Sequence, residues 1–293
     1  MNNRVIGLFL VISLVFFSAC MQFRTSPKGV FKEFENSGII PVIKDVDFKN
    51  INFRYIEVSD NRNVKPTIIF IHGAPGSSDN YFQFLRDHKL ATTFDMVSVD
   101  RLGYGYSNFG KSEKSLVKQA QSLESVLNEY RNTPTLLVGH SYGGPIAVKA
   151  AVLFPQLVQG LLLLAPAIDP ENEKKISVAW MGKTAPFRWV TPKSLKVATD
   201  EKYSHVEELT KMLPDWAQLC LPITYIHGDE DSLVPYANLA FAERVIDAHC
   251  LKLIGLKGED HFLPWSQEEL IKSELFLLND KVSPQNLQIA CNE

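Results

Sequence analysis

The sequence predicts an α/β fold built on a mainly parallel sheet, and three observations predict it. The first is a series of short apolar runs: "TIIFI" (67–71), "MVSV" (96–99), "TLLV" (135–138), "LLLL" (161–164), "ITYI" (223–226) and "LKLIGL" (251–256). None has a polar face, as strands of a parallel sheet buried on both sides require. The second is a helical pattern between two of them. Leu116, Ala120, Leu123, Leu127 and Tyr130 recur at alternating spacings of four and three, which predicts one helix with a single apolar stripe. The third lies near the end of the chain, where Ser266 and Glu269 have capping-box spacing ahead of Leu270, Ile271, Leu275 and Leu278. Strands alternating with helices build a layered α/β sheet rather than a sandwich or a bundle.

Composition agrees with a folded domain of this size. The 293 residues are 45% hydrophobic and 22% charged, which is ordinary for a globular chain with a large core. Thirty basic against 33 acidic side chains leave a formal charge of -3 with no block of one sign, so nothing points to a nucleic acid partner.

The N-terminus is different. "MNNRVIGLFLVISLVFFSAC" holds Arg4, an apolar run from Val5 to Phe17 and small residues before Cys20. The run is shorter than the ~20 residues of a bilayer span and reads as a secretory h-region. "FSAC" resembles a bacterial lipobox, with Phe17 where leucine is usual. That resemblance implies a signal peptide over 1–19 and a lipid-bearing, palmitate-type anchor on Cys20. It also implies an extracytoplasmic chain tied to a bacterial membrane, on the periplasmic side or the cell surface. An uncleaved anchor with an incidental cysteine is the competing reading. Beyond Cys20, three cysteines remain (Cys220, Cys250 and Cys291), too scattered for a metal site. An oxidising compartment would permit one disulfide among them, in any of three pairings.

Residues 20–47 read as a tether, and "INFRYIEV" (51–58) alternates like a half-exposed antiparallel strand. The core then spans 48–170 and 222–293. The interval 171–221 breaks the alternation; it is too long for a loop and too short for a domain, so it reads as a helical cap. Its aromatics, Trp180, Phe187, Trp189 and Trp216, either line an apolar pocket or pack the cap onto the core.

The chemistry is concentrated in "VGHSYGGP" (138–145), which joins a buried strand to an apolar helical segment. In a G-x-S-x-G motif the serine sits on a sharp, strained turn between strand and helix. Gly139, Gly143 and Gly144 remove the Cβ atoms that would collide there, and Pro145 suits a first helical turn. Ser141 is thus the candidate nucleophile. A serine hydroxyl needs a base, itself oriented by an acid, and the chain order in this class is Ser, Asp or Glu, His. His261 in "GEDHFLPW" (258–265) has that order, after the last strand. Three aspartates compete for the acid: Asp169 before Pro170, and Asp229 and Asp231 in "IHGDEDSLVP" (226–235). The first two read as turn residues. Donors for a developing oxyanion would be the N–H of Tyr142 and one from "FIHGAPGSS" (70–78), for which Ala74 is nominated.

The pieces "HGAPGSS", "VSVDRLGYGYS", "GHSYGG", "HGDEDSLVP" and "GEDHF" together resemble an α/β-hydrolase over about residues 48–279. The resemblance implies the α/β-hydrolase fold: a mostly parallel eight-stranded sheet flanked by helices, with a small helical cap. It implies a Ser141–His261–Asp231 triad, with Asp231 at the family position, an oxyanion hole of Ala74 and Tyr142, and no metal or organic cofactor. Asp100 and Arg101 would be structural, in the turn after the fourth strand. The implied partner is a small-molecule acyl substrate, with a carboxylic ester preferred. "HGAPG" is also similar to the "HGGPG" of proline iminopeptidases, in which case Glu207 and Glu208 would hold a substrate amino terminus. Dehalogenases and epoxide hydrolases use an aspartate nucleophile, so Ser141 speaks against them. Carbon–carbon bond hydrolases, perhydrolases and a non-catalytic binding protein on the same fold remain open.

Overall fold

The computed structural model describes residues 23–60, 62–174, 188 and 191–282. Cys20, Cys291, Trp180, Phe187 and Trp189 lie outside the described residues. Eight strands form one sheet among those described: β1 (Val42–Phe48), β2 (Ile51–Val58), β3 (Thr67–Ile71), β4 (Asp95–Val99), β5 (Thr135–His140), β6 (Gly160–Leu164), β7 (Ile223–Gly228) and β8 (Leu251–Leu256). Their order across the sheet is β1-β2-β4-β3-β5-β6-β7-β8. β2 is antiparallel to β1 and β4, and every later pairing is parallel.

Helices fill the connections: α1 (Pro27–Phe34), α2 (Phe82–Leu85), α3 (His88–Thr93), α4 (Leu116–Gln121), α5 (Glu124–Glu129), α6 (Gly143–Leu153), α7 (Lys193–Met212), α8 (Ala237–Val245), α9 (Leu263–Ser266) and α10 (Glu268–Lys281). Successive strand residues face opposite sides, so the apolar runs supply two cores. Ile69, Ile71, Val97, Val99, Leu137 and Leu163 pack with Leu116, Leu127, Ile146 and Phe241. On the other face Ile68, Phe70, Met96, Val138 and Leu162 pack with Val30, Phe34, Ile271 and Leu275. No helix among the described residues is long and apolar enough to cross a membrane.

Several local expectations are corrected. The stripe from Leu116 to Tyr130 is buried as expected, but it spans two helices, α4 and α5, rather than one. At the break the Leu123 N–H reaches back three residues to Ala120, and the Ser122 hydroxyl donates to the Gln119 carbonyl at 2.7 Å. Such a hydroxyl competes for helix carbonyls and favours a bend. Ser266 does not cap the last helix. It ends α9 and donates to Glu259 at 2.9 Å, while Gln267 takes the N-cap position of α10 without a side-chain bond. β2 is buried from Phe53 onward because its side chains enter both cores, Phe53 and Tyr55 on one face and Ile56 and Val58 on the other. Its Glu57 is held there by the Tyr130 hydroxyl at 2.7 Å, Lys44 and Arg62. β8 is half-buried rather than buried, since it pairs only with β7. The segment read as a tether contributes α1, which buries Val30 and Phe34, and β1, so ordered structure begins earlier than residue 48.

In the interval 171–221 the described residues hold α7 and a 3-10 helix, Leu213–Gln218. Trp216 is buried against Phe241, ring centroids 5.7 Å apart, and so packs into the core.

Candidate active site

Ligands bind α/β sheets at the carboxyl ends of the strands, and the loops after β3, β5, β7 and β8 meet at that end here. Ser141 follows β5 directly and has φ +54°, the strained left-handed conformation that few side chains adopt. Its N–H donates to the Leu164 carbonyl at 3.0 Å, and its carbonyl accepts from Gly144 and Ala167 at 3.0 and 3.2 Å. The turn is thereby stitched to the end of β6. Close approach explains the glycines: a Cβ on Gly139 would stand 2.6 Å from the Gly143 carbonyl oxygen, and one on Gly143 2.2 Å from that of Ile71.

His261 lies in the loop between β8 and α9. Its Nδ1 is 2.7 Å from Asp231 Oδ2, and the Asp231 carboxylate is wholly buried. The turns that carry the two residues are joined by the Glu230 N–H, which donates to the Glu259 carbonyl at 3.0 Å. Asp231 Oδ1 accepts the N–H groups of Leu233 and Val234, both at 2.8 Å. Its Oδ2 also faces His227 Nε2 at 3.2 Å. That nitrogen is 3.1 Å from the Val234 carbonyl as well, while His227 Nδ1 is 2.9 Å from the Tyr225 hydroxyl. Two acceptors around Nε2 assign the proton there, and the tyrosine donates to Nδ1. His227 is thus a second fixed donor to Asp231.

Burial alone raises the pKa of Asp231, but the hydrogen bonds from His227 and His261 outweigh it and hold the carboxyl well below the usual range. A carboxyl depressed below its unfolded value of ~3.9 stabilises the fold fully above that value and loses the contribution as pH falls toward the folded pKa. The melting-temperature advantage of the native chain over Asp231→Asn should therefore be steady above pH ~5 and shrink below pH ~4. Melting curves across this range check it, and an advantage undiminished by acid would contradict it.

His140, next to the elbow, donates from Nε2 to the His261 carbonyl at 3.0 Å, with ring centroids 4.8 Å apart. Burial, and then the neighbouring His261, lower its pKa to about 3, so it stays neutral and pins the histidine loop to the serine turn. The loop after β3 lies against the same serine, since a Cβ on Gly73 would stand 2.9 Å from Ser141 Cβ. The N–H groups of Ala74 and Tyr142 donate to no acceptor among the described residues.

The competing residues are engaged elsewhere. Asp169 accepts the Glu171 N–H at 2.9 Å and the Asn172 amide at 2.7 Å, and Asp229 accepts the Gly258 N–H at 2.6 Å. Glu207 is exposed and paired with Lys211. Glu208 receives the Leu116 N–H at 3.0 Å at the start of α4. Asp100 closes its turn by accepting the N–H groups of Ser78 and Tyr106, both at 2.8 Å. Sequence reasoning missed His227 and His140; each sits at the end of a strand already singled out, but nothing in its immediate sequence marks its partner.

Residues 66–186 match the family model described as alpha/beta hydrolase fold. The sheet order and the strand–serine–helix turn agree with it. The chain has the α/β-hydrolase fold. A 1-acylglycerol-3-phosphate O-acyltransferase of Arabidopsis thaliana is 30% identical over 159 residues, which are 48% of this chain and 38% of that one. The chain spans less than half the length of the curated relatives it matches. A bacterial membrane phospholipase A, 18% identical, superimposes with a TM-score of 0.64 over 96% of this chain and 99% of that one. A haloalkane dehalogenase of Agrobacterium tumefaciens, also 18% identical, gives 0.65 over 84% and 99%. At such identity the two superpositions show the α/β-hydrolase fold alone, and fold does not assign function.

Proposed function

We propose that the chain is a serine hydrolase that cleaves small to medium carboxylic esters, or related acyl compounds, through an acyl-enzyme. The observation that carries this reading is the 2.7 Å contact between His261 Nδ1 and the buried Asp231, on the loops that border the strained Ser141 turn. With Nδ1 engaged as a donor, Nε2 is left as the acceptor that a serine hydroxyl requires. Ser141 Oγ attacks the ester carbonyl while His261 Nε2 takes its proton, and the same proton then passes to the departing alcohol. Asp231 holds the imidazole in the productive tautomer and stabilises the imidazolium. The Ala74 and Tyr142 amides, which lack acceptors among the described residues, receive the oxyanion. Water, activated in turn by His261, releases the acid. The name of the Arabidopsis relative, 30% identical over 159 residues, concerns acyl transfer, which supports an ester over a halide.

A panel of p-nitrophenyl esters beside prolyl-anilides tests the substrate class. Esters should turn over faster by a large factor; the reverse order would replace this reading with an aminopeptidase one. Glu207 and Glu208 are both engaged already, sharing Lys211, and Glu208 also accepts the Leu116 N–H, which favours the ester.

We also propose that lipid on Cys20 holds the enzyme at a bacterial membrane, on its extracytoplasmic side. Cys20→Ser should abolish the added lipid mass and release the chain from membranes, whereas Ser141→Ala should leave both unchanged. Intact-mass analysis of membrane-extracted protein checks this, and an unmodified chain still starting at Met1 would contradict it.

A further inference from the structure

Arg101 lies in the turn after β4, and its side chain is buried beside the loop that carries Ala74. Its Nε donates to the His72 carbonyl at 2.8 Å and its Nη2 to the Gly73 carbonyl at 3.0 Å. The Gly73 carbonyl accepts a second bond, from His72 Nδ1 at 2.7 Å. His72 Nε2 receives the Arg101 backbone N–H at 3.0 Å, which assigns the His72 proton to Nδ1. Burial, and then the Arg101 charge, lower the His72 pKa well below the ordinary value, so this arrangement persists as a neutral ring.

The Gly73 carbonyl and the Ala74 N–H belong to one peptide group. That group is trans, so its N–H points opposite to its C=O. Two donors gripping the oxygen therefore fix the direction of the N–H, and they polarise the peptide so that the N–H becomes a better donor. The guanidinium is in turn fixed from the other side. Glu201, wholly buried on α7, pairs with Arg101 Nη1 at 2.7 Å and Nη2 at 3.2 Å. The Tyr104 hydroxyl at 2.6 Å and the Gln119 amide at 3.3 Å complete the carboxylate's partners. A planar fork that serves two carbonyls and a carboxylate at once is a task that a lysine ammonium cannot repeat.

We infer that Arg101 is a positioning residue for the oxyanion hole: it aims the Ala74 N–H through the Gly73 carbonyl, and Glu201 makes that aim depend on the seating of α7. The inference rests on the proposed ester hydrolysis at Ser141. Arg101→Lys is one test. The double variant Arg101→Met with Glu201→Met is the second, because it leaves no buried carboxylate without a partner. Each folded variant is assayed with p-nitrophenyl butyrate, per site titrated with a fluorophosphonate, and with an alkyl trifluoromethyl ketone, whose bound hemiketal bears the oxyanion. Losing one oxyanion donor costs about 10²–10³ in kcat, and a misaimed donor should cost about 10–100-fold. The ketone inhibition constant should rise by a similar factor while KM stays within about threefold. Unchanged kcat and ketone affinity in folded variants would overturn the inference and leave the ester reading intact. A fall in kcat with unchanged ketone affinity would overturn it too. A native chain that neither labels nor turns over ester would overturn the ester reading itself, and this inference with it.

Discussion

Ser141→Ala is expected to lower ester turnover by about 10⁶-fold, the scale found when a protease loses its serine nucleophile. The chain should keep its stability. Alanine retains the Cβ that Gly73 packs against, and the bonds that hold the turn run through backbone N–H and carbonyl groups at residue 141, which the substitution leaves in place. The φ of +54° is as strained for alanine as for serine. Turnover and melting temperature measured on one preparation check this. Residual turnover within tenfold of the native chain would remove Ser141 from the chemistry.

Asp231→Asn is expected to cost about 10⁴-fold in turnover, because the amide would offer an N–H where His261 Nδ1 now finds an acceptor. The ring would then carry its proton on Nε2 and could no longer accept one from Ser141. Asparagine could still accept from Leu233 and Val234 through Oδ1, so the turn keeps its shape. His227 would lose its 3.2 Å contact with Oδ2 but retain the Val234 carbonyl. Asp229→Asn and Asp169→Asn should change turnover by no more than a few-fold, since their carboxylates close turns rather than face His261. Steady-state kinetics on the three folded variants check the order. A crippled Asp169→Asn beside an active Asp231→Asn would assign the acid to the earlier strand.

What was legible in the sequence is what short chain segments encode. The buried strands announce themselves because an apolar run with no polar face has few other uses. The serine turn is legible because G-x-S-x-G is a short contiguous motif, although only Gly139 is forced from nearby, by the Gly143 carbonyl, whereas Gly143 is forced by the distant Ile71 carbonyl. Asp231 was nominated from its place in a recognised pattern; its 2.7 Å approach to His261 is a pairing across 30 residues that periodicity does not reveal. Longer-range partners left no mark at all. Arg101 and Glu201 are 100 residues apart, and the sequence assigned Arg101 only a role in its turn. The break between α4 and α5 was hidden because all five stripe residues are buried on either side of it, so the apolar spacing survives while the hydrogen bonding changes. α1 was missed for want of length, since eight residues with two buried side chains carry little periodic signal.

The central claim is that Ser141 is an activated nucleophile, and labelling of the folded native chain with a fluorophosphonate, followed by peptide mapping, tests it most directly. The account predicts one modified residue, Ser141, with labelling lost in Ser141→Ala and slowed severely in Asp231→Asn. A folded chain that takes up no label, or takes it up on another residue, would contradict the account.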